Sequence, residues 1–228
     1  METKVIALAN GKGGCGKSSV ACNLSLSLMK KKGSIVHAFD LDPQAAMEGF
    51  LLDYERKTPN LQHKAIPQSS VASISKMLGS LSGKASHVVL DVCGGDTMTI
   101  QSILPHTTLM ILPSRPSKKD FASTAAFLIA LTDKGYFKAY PSLKAYILLN
   151  QCSYHPKSTI AQEMVDEYND LIVEGGLQGR VEVLDSRITV ATAWIEADMR
   201  CESIVESKTK SAKQWEALLK ELTKKGGI

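Results

Sequence analysis

Apolar residues fall into two alternating patterns along the chain. Short continuous apolar runs occupy 5–9, 35–39, 87–90, 109–112, 145–149 and 181–184. Runs of this length, without polar alternation, predict strands buried on both faces. Between them, helical patterns cover 17–32, 70–81, 121–134 and 159–173. Such alternation predicts an α/β fold: a mostly parallel twisted sheet with right-handed crossovers and helices on both faces. The stretch 53–68 has the weakest pattern and is expected to hold irregular surface structure. No linker rich in Gly, Ser or Pro divides the chain, so residues 1–228 are expected to form one domain.

Near the end, Trp215, Leu218, Leu219 and Leu222 recur at i, i+3, i+4 and i+7 with lysines around them. An amphipathic helix with this stripe either lies in a bilayer interface or packs on its own core. The acids Glu216 and Glu221 favour the core.

Composition narrows the picture. With 44% hydrophobic and 22% charged residues, a packed core is expected and wholesale disorder is excluded. Aromatics at 6% argue against recognition of bases mainly by stacking. The net charge, 27 − 23 = +4, is mildly basic and compatible with nucleic acid or acidic lipid. No signal peptide or spanning segment is apparent. Five scattered cysteines without a CxxC pair fit a reducing cytoplasm. No Cys or His pair has the spacing of a structural zinc site.

The first strand runs into Asn10-Gly11-Lys12-Gly13-Gly14-Cys15-Gly16-Lys17-Ser18-Ser19, and a helix follows. Two motifs overlap here. Gly11, Gly13 and Gly16 spell the dinucleotide fingerprint GxGxxG, with Asp40 placed as a ribose acceptor. Gly11, Gly16, Lys17 and Ser18 spell the phosphate loop GxxxxGK(S/T). The phosphate loop is favoured, because it gives Lys17 and Ser18 roles: the β- and γ-phosphates for one, Mg²⁺ for the other. A dinucleotide site needs neither. Loop amides and the positive end of the helix dipole complete a polyphosphate cradle. Asp91 ends another buried strand, as a metal-side carboxylate should, and Gly94-Gly95 follow where an amide would sense the γ-phosphate.

The loop segment Lys12-Gly13-Gly14-Cys15-Gly16-Lys17-Ser18-Ser19 resembles the deviant Walker A sequence KGGxGK(S/T)(S/T) of the ParA/MinD family. Asp40-Leu41-Asp42-Pro43-Gln44 resembles that family's DxDPQ motif, and Asp91 with Gly94-Gly95 its Walker B and switch II region. Pro113-Ser114 through Asp120 and Ser203-Ile204-Val205-Glu206 resemble later segments. The resemblance implies a P-loop ATPase using ATP and Mg²⁺ and closing as a homodimer around nucleotide. It implies that Lys12 reaches the partner subunit's phosphates, that Lys17 holds the β/γ-phosphates of its own subunit, and that Asp42 orients the attacking water. Ser18 would bind Mg²⁺ with Asp40 and Asp91 supporting it, and Ser19 would touch the α-phosphate. Gly11, Gly13, Gly14, Cys15, Gly16 and Gly94 complete the nucleotide contacts. Asn150 stands where the family contacts adenine, although a strand-end turn residue explains it equally well.

Within the family, the chain looks like the small ParA class, without an N-terminal helix-turn-helix domain. That implies partition or positioning of plasmid or other DNA cargo, nonspecific DNA binding, nucleoid association in the cytoplasm, and a cargo-bound partner that stimulates slow hydrolysis. Arg187, Arg200, Lys208 and Lys210 are the expected DNA contacts. The alternative is a MinD-like membrane regulator using the last helix. A reductase-like iron–sulfur reading, with Cys93 and Cys15 as thiolates, is disfavoured because Cys15 lies inside the phosphate loop. Loop amides and Lys17 would favour a Cys15 thiolate, but a small residue filling a variable position is the simpler reading.

Overall fold

The computed structural model describes residues 2–57, 64–66, 71–155 and 157–228. Among the described residues, seven strands form one sheet: β1 (Lys4–Leu8), β2 (Val36–Asp40), β3 (Lys64–Ile66), β4 (His87–Asp91), β5 (Leu109–Ser114), β6 (Lys144–Cys152) and β7 (Val181–Thr189). Their order is β3-β2-β4-β1-β5-β6-β7, and every pairing is parallel.

Strand periodicity divides the core into two layers. Ile6 and Leu8 face one side, packed with α1 (Lys17–Met29), α2 (Ala46–Lys57), α8 (Thr192–Met199) and α9 (Lys210–Lys224). Val5 and Ala7 face the other, with α3 (Val71–Leu81), α4 (Thr97–Ile103), α5 (Lys118–Asp133) and α7 (Ile160–Glu174). A short α6 (Tyr136–Ala139) and a 3₁₀ turn (Ile204–Ser207) complete the helices. All six predicted strands and four predicted helices are present, with ends shifted by up to five residues.

Two expectations change. The stretch 53–68 is not wholly irregular: Asp53 to Lys57 closes α2, and β3 pairs with β2 as an edge strand. The residues between lie outside the described ones. Met47, Leu51 and Tyr54, at i, i+4 and i+7, are the buried face of α2. The Trp215 stripe packs inward: Trp215 and Leu218 are 0% exposed and Leu222 1%. Burial of three of its four side chains places the stripe on the core rather than on a bilayer. Among the described residues, no helix is long and apolar enough to cross a membrane.

β1 lies between β4 and β5, so the chain crosses over it when passing from one half of the sheet to the other. A crevice forms at such a switch point, beyond the carboxyl ends of the strands.

Candidate nucleotide site

The loop between β1 and α1 sits in that crevice. Gly16 precedes α1 in the left-handed conformation, φ 93°, and no side chain caps the helix. The first-turn amides therefore keep open positions toward the cleft. A Cβ on Gly16 would stand 2.2 Å from Asn150 Nδ2, so glycine is required twice over. Gly94 is also crowded, because its Cβ would lie 3.1 Å from the Lys12 carbonyl carbon and 3.2 Å from Gly13 N. The strand-end glycine pair thus packs on the loop backbone, and Gly95 N reaches Asn10 O at 3.4 Å. A cavity of about 500 Å³ opens here, lined by Gly13, Gly14, Gly16, Lys17, Ser18, Ser19, Asp42, Gln44, Cys93, Gly94 and Gln151.

The two lysines of the loop differ. Lys17 is buried and its Nζ donates to Lys12 O at 3.2 Å. Lys12 is one-third exposed, and its Nζ pairs with Asp120 Oδ2 at 2.9 Å. Asp120 is almost fully buried in the first turn of α5. Burial pushes its carboxyl up, but hydrogen bonds from Ser117, Lys12 and Arg115 outweigh that and hold it below the usual range.

Three carboxylates stand in different surroundings. Asp91 is fully buried, and among the described residues neither oxygen has a hydrogen-bond partner of normal geometry. Burial, reinforced by Asp40 and Asp42, pushes its carboxyl up to about 7, against the pull of the Ser18 hydroxyl and Lys17. An unpartnered buried carboxylate facing a serine and a phosphate cleft fits a hydrated Mg²⁺, which binds phosphates and keeps several waters. Among the described residues no three His, Cys, Asp or Glu side chains gather into a cation cage, so most ligands would come from nucleotide and water. Asp40 accepts from Asp42 N at 2.9 Å and Glu48 N at 3.0 Å, and is 1% exposed. Its oxygens are committed to the turn into α2, which corrects the dinucleotide alternative: no ribose hydroxyl reaches it. That turn presents Asp42 to the cleft, where its carboxylate accepts from Gln44 N at 3.0 Å.

The family model described as CobQ/CobB/MinD/ParA nucleotide binding domain matches residues 6–225. The chain belongs to this family. Among curated proteins, maintenance of carboxysome distribution protein A of Halothiobacillus neapolitanus is 28% identical over 161 residues, 70% of each chain. The septum site-determining protein MinD of Pyrococcus horikoshii, solved with Mg-ADP, aligns at TM-score 0.73 and 20% identity, covering 99% of this chain and 98% of its own. Apo McdA from Cyanothece aligns at TM-score 0.70 and 17% identity, covering 96% and 99%. The two structural likenesses show a shared fold.

In this ParA/MinD-family chain a second cavity of about 500 Å³ adjoins the phosphate cleft and shares Gly16, Ser18, Ser19 and Gln151 with it. Phe50, Ile188, Thr189, Val190, Ala191, Trp194, Ile195 and Ala197 line it, with Asp198 and Glu202 at polar positions. The Trp194 indole stands edge-on to Trp215, and its buried N–H has no partner among the described residues. Sequence reasoning missed these residues, whose only signal is their order around the end of β7. Asn150 also lines the cavity, but its amide donates to Cys15 O at 2.8 Å and its carbonyl accepts from Gln151 N. It braces the loop. Asp185 and Ser186 lie inside β7, with their amides on the Glu221 carboxylate.

The remaining candidates are dispersed. Cys15 is fully buried, and burial pushes its thiol up, so the loop does not favour thiolate. Arg187, on edge strand β7, donates to Gln162 on α7. Arg200 closes α8, and its carbonyl accepts from Lys57. Lys208 and Lys210 are exposed at the start of α9, with Lys210 4.4 Å above the Tyr154 ring. Glu206, between Arg200 and Lys208, is committed elsewhere, to Lys30 and Tyr54.

Proposed function

We propose that this chain is an Mg²⁺-dependent ATPase that closes as a homodimer on ATP and positions a cargo along DNA. One observation carries the reading. Beside the buried Lys17, a second lysine of the same loop, Lys12, is one-third exposed and held on Asp120 by an ion pair that can open. A single-subunit triphosphatase has no evident use for it. A nucleotide shared by two subunits does, since a second cation offsets charge on the transferring phosphoryl group.

In this reading the loop amides and Lys17 hold the triphosphate, and Ser18 and Asp91 hold hydrated Mg²⁺. Bound there, the metal would offset phosphate charge. Asp40 fixes the turn that carries Asp42, and Asp42 orients the attacking water. Gly94, packed on the loop, reports the γ-phosphate to α4. The adjoining apolar cavity takes the base, and the family resemblance favours adenine. Exposed bases at the start of α9, together with Arg187 and Arg200, would contact DNA backbone in the dimer. The relative named for carboxysome distribution leaves the cargo open: a plasmid or another body carried over the nucleoid. A partner bound to that cargo would stimulate slow basal turnover. The membrane alternative loses support because the Trp215 stripe is buried.

The test is retention of DNA on a biosensor with ATP, ADP or no nucleotide, over a salt titration. ATP-dependent, salt-sensitive retention is expected. Equal binding without nucleotide overturns the switch, and ATP-dependent pelleting with anionic liposomes overturns the DNA reading.

A further inference from the structure

Asp120 holds two cations, on different oxygens. Lys12 Nζ lies 2.9 Å from Oδ2, and Arg115 Nε lies 3.0 Å from Oδ1. The Ser117 hydroxyl, at the cap of α5, donates to Oδ2 at 2.6 Å and accepts from Asp120 N. The carboxylate is 3% exposed, while Lys12 and Arg115 are 33% and 36% exposed. A buried carboxylate stripped of its cation is costly, because desolvation is no longer compensated. If Lys12 were its only cation, reaching for a distant phosphate would leave that charge bare. Arg115 removes the obstacle. With Lys12 gone, Oδ1 keeps the guanidinium, Oδ2 keeps the serine hydroxyl, and the N-terminal turn of α5 still favours negative charge.

We propose that Arg115 is a positioning residue: it takes over the Asp120 carboxylate when Lys12 leaves for the partner subunit's triphosphate, and so sets how readily the dimer closes. The inference rests on the reading of Lys12 as a lysine acting across the dimer. It predicts an effect of unusual sign. Loss of Arg115 tightens the Lys12–Asp120 pair, so closure becomes harder while nucleotide binding by the monomer is untouched. A purely structural arginine would instead loosen the segment, and removing Asp120 as well would only worsen the damage.

The experiment measures dimerisation of the full chain with ATPγS and Mg²⁺ by sedimentation velocity, alongside binding of a fluorescent ADP. Arg115→Ala should weaken the dimer about tenfold and leave ADP affinity within about twofold. Arg115→Lys should stay near wild type. Arg115→Ala combined with Asp120→Asn should return to wild-type dimerisation or better, a coupling that independent sites do not show. Unchanged dimerisation of Arg115→Ala overturns the proposal. So does a defect that Asp120→Asn fails to rescue. Lys12→Ala separates the two layers of inference. If it still dimerises normally, the cross-dimer role of Lys12 falls and this proposal with it. If it fails while Arg115→Ala behaves as wild type, only the role of Arg115 falls.

Discussion

The phosphate cleft and the apolar cavity beside it have the same volume, about 500 Å³, and share four residues, yet they are built on opposite plans. The cleft is made of backbone amides and charged groups, most of them from one continuous loop, Gly13 to Ser19. The cavity is made of side chains from α1, α2, the ends of β6 and β7, and α8. Charge recognition by amides and lysine is strong at short range and needs few partners. Apolar recognition is weak per contact, so many separated elements must converge. The cleft should therefore fail through single charges, and the cavity only by degrees.

Lys17→Ala is the harshest way to probe that contrast. It should weaken ATP, ADP and tripolyphosphate alike, by about a thousandfold, since a charge-assisted contact common to all three is lost. Calorimetric titration would show it, and retention of tripolyphosphate binding would remove the cleft's assigned role. Asp42→Ala should spare binding but slow hydrolysis about a hundredfold and leave an ATP-bound dimer. Rapid phosphate release by that variant would contradict the placement of the water.

Trp194→Ala works on the other region. It should weaken ADP about tenfold and leave tripolyphosphate unchanged, because only the base would meet the cavity wall. An equal loss for both ligands would merge the two regions into one. In the wild type, nucleotide should change indole fluorescence, as Trp194 and Trp215 are the only tryptophans.

The smallest effect concerns protons. Asp91, raised to about 7, still holds its proton where the unfolded carboxyl, near 3.8, has lost it. It therefore costs stability progressively as pH rises from about 4 through 7. His87 is lowered to about 4 by burial, with Lys31 and Lys4 adding to it, and runs oppositely: stability is lost as pH falls from 6.5 toward 4. The two slopes offset each other in the nucleotide-free protein. Asp91→Asn, with chelator present, should melt about 5 °C higher at pH 8 and expose the acid-side loss due to His87. Melting curves across pH check this, and an unaltered melting point at pH 8 would deny that Asp91 is strained by burial.

Legibility in the sequence followed the same division. The loop Gly16-Lys17-Ser18 was readable as the opening of a helix because that depends on local backbone geometry alone. Asp91 was readable as the polar end of an apolar strand. Asn150 was visible but its task was not: whether its amide meets a base or the Cys15 carbonyl depends on where β6 ends against the loop, 135 residues away in sequence. Ile188 and Trp194 carried no signal, since an apolar residue lining a cavity reads the same as one filling a core. The Trp215 stripe was periodic either way, and burial against the sheet decided its use.

What the linear order determined alone was the glycine-rich loop that opens the first helix, the alternation of strands and helices, and hence the doubly covered sheet; each depends on residues within a turn or two of one another. Only the tertiary structure decided which carboxylate stays unpartnered, which face of the last helix is hidden, and that Asp120 holds Lys12, because those outcomes depend on burial and on contacts between segments about a hundred residues apart.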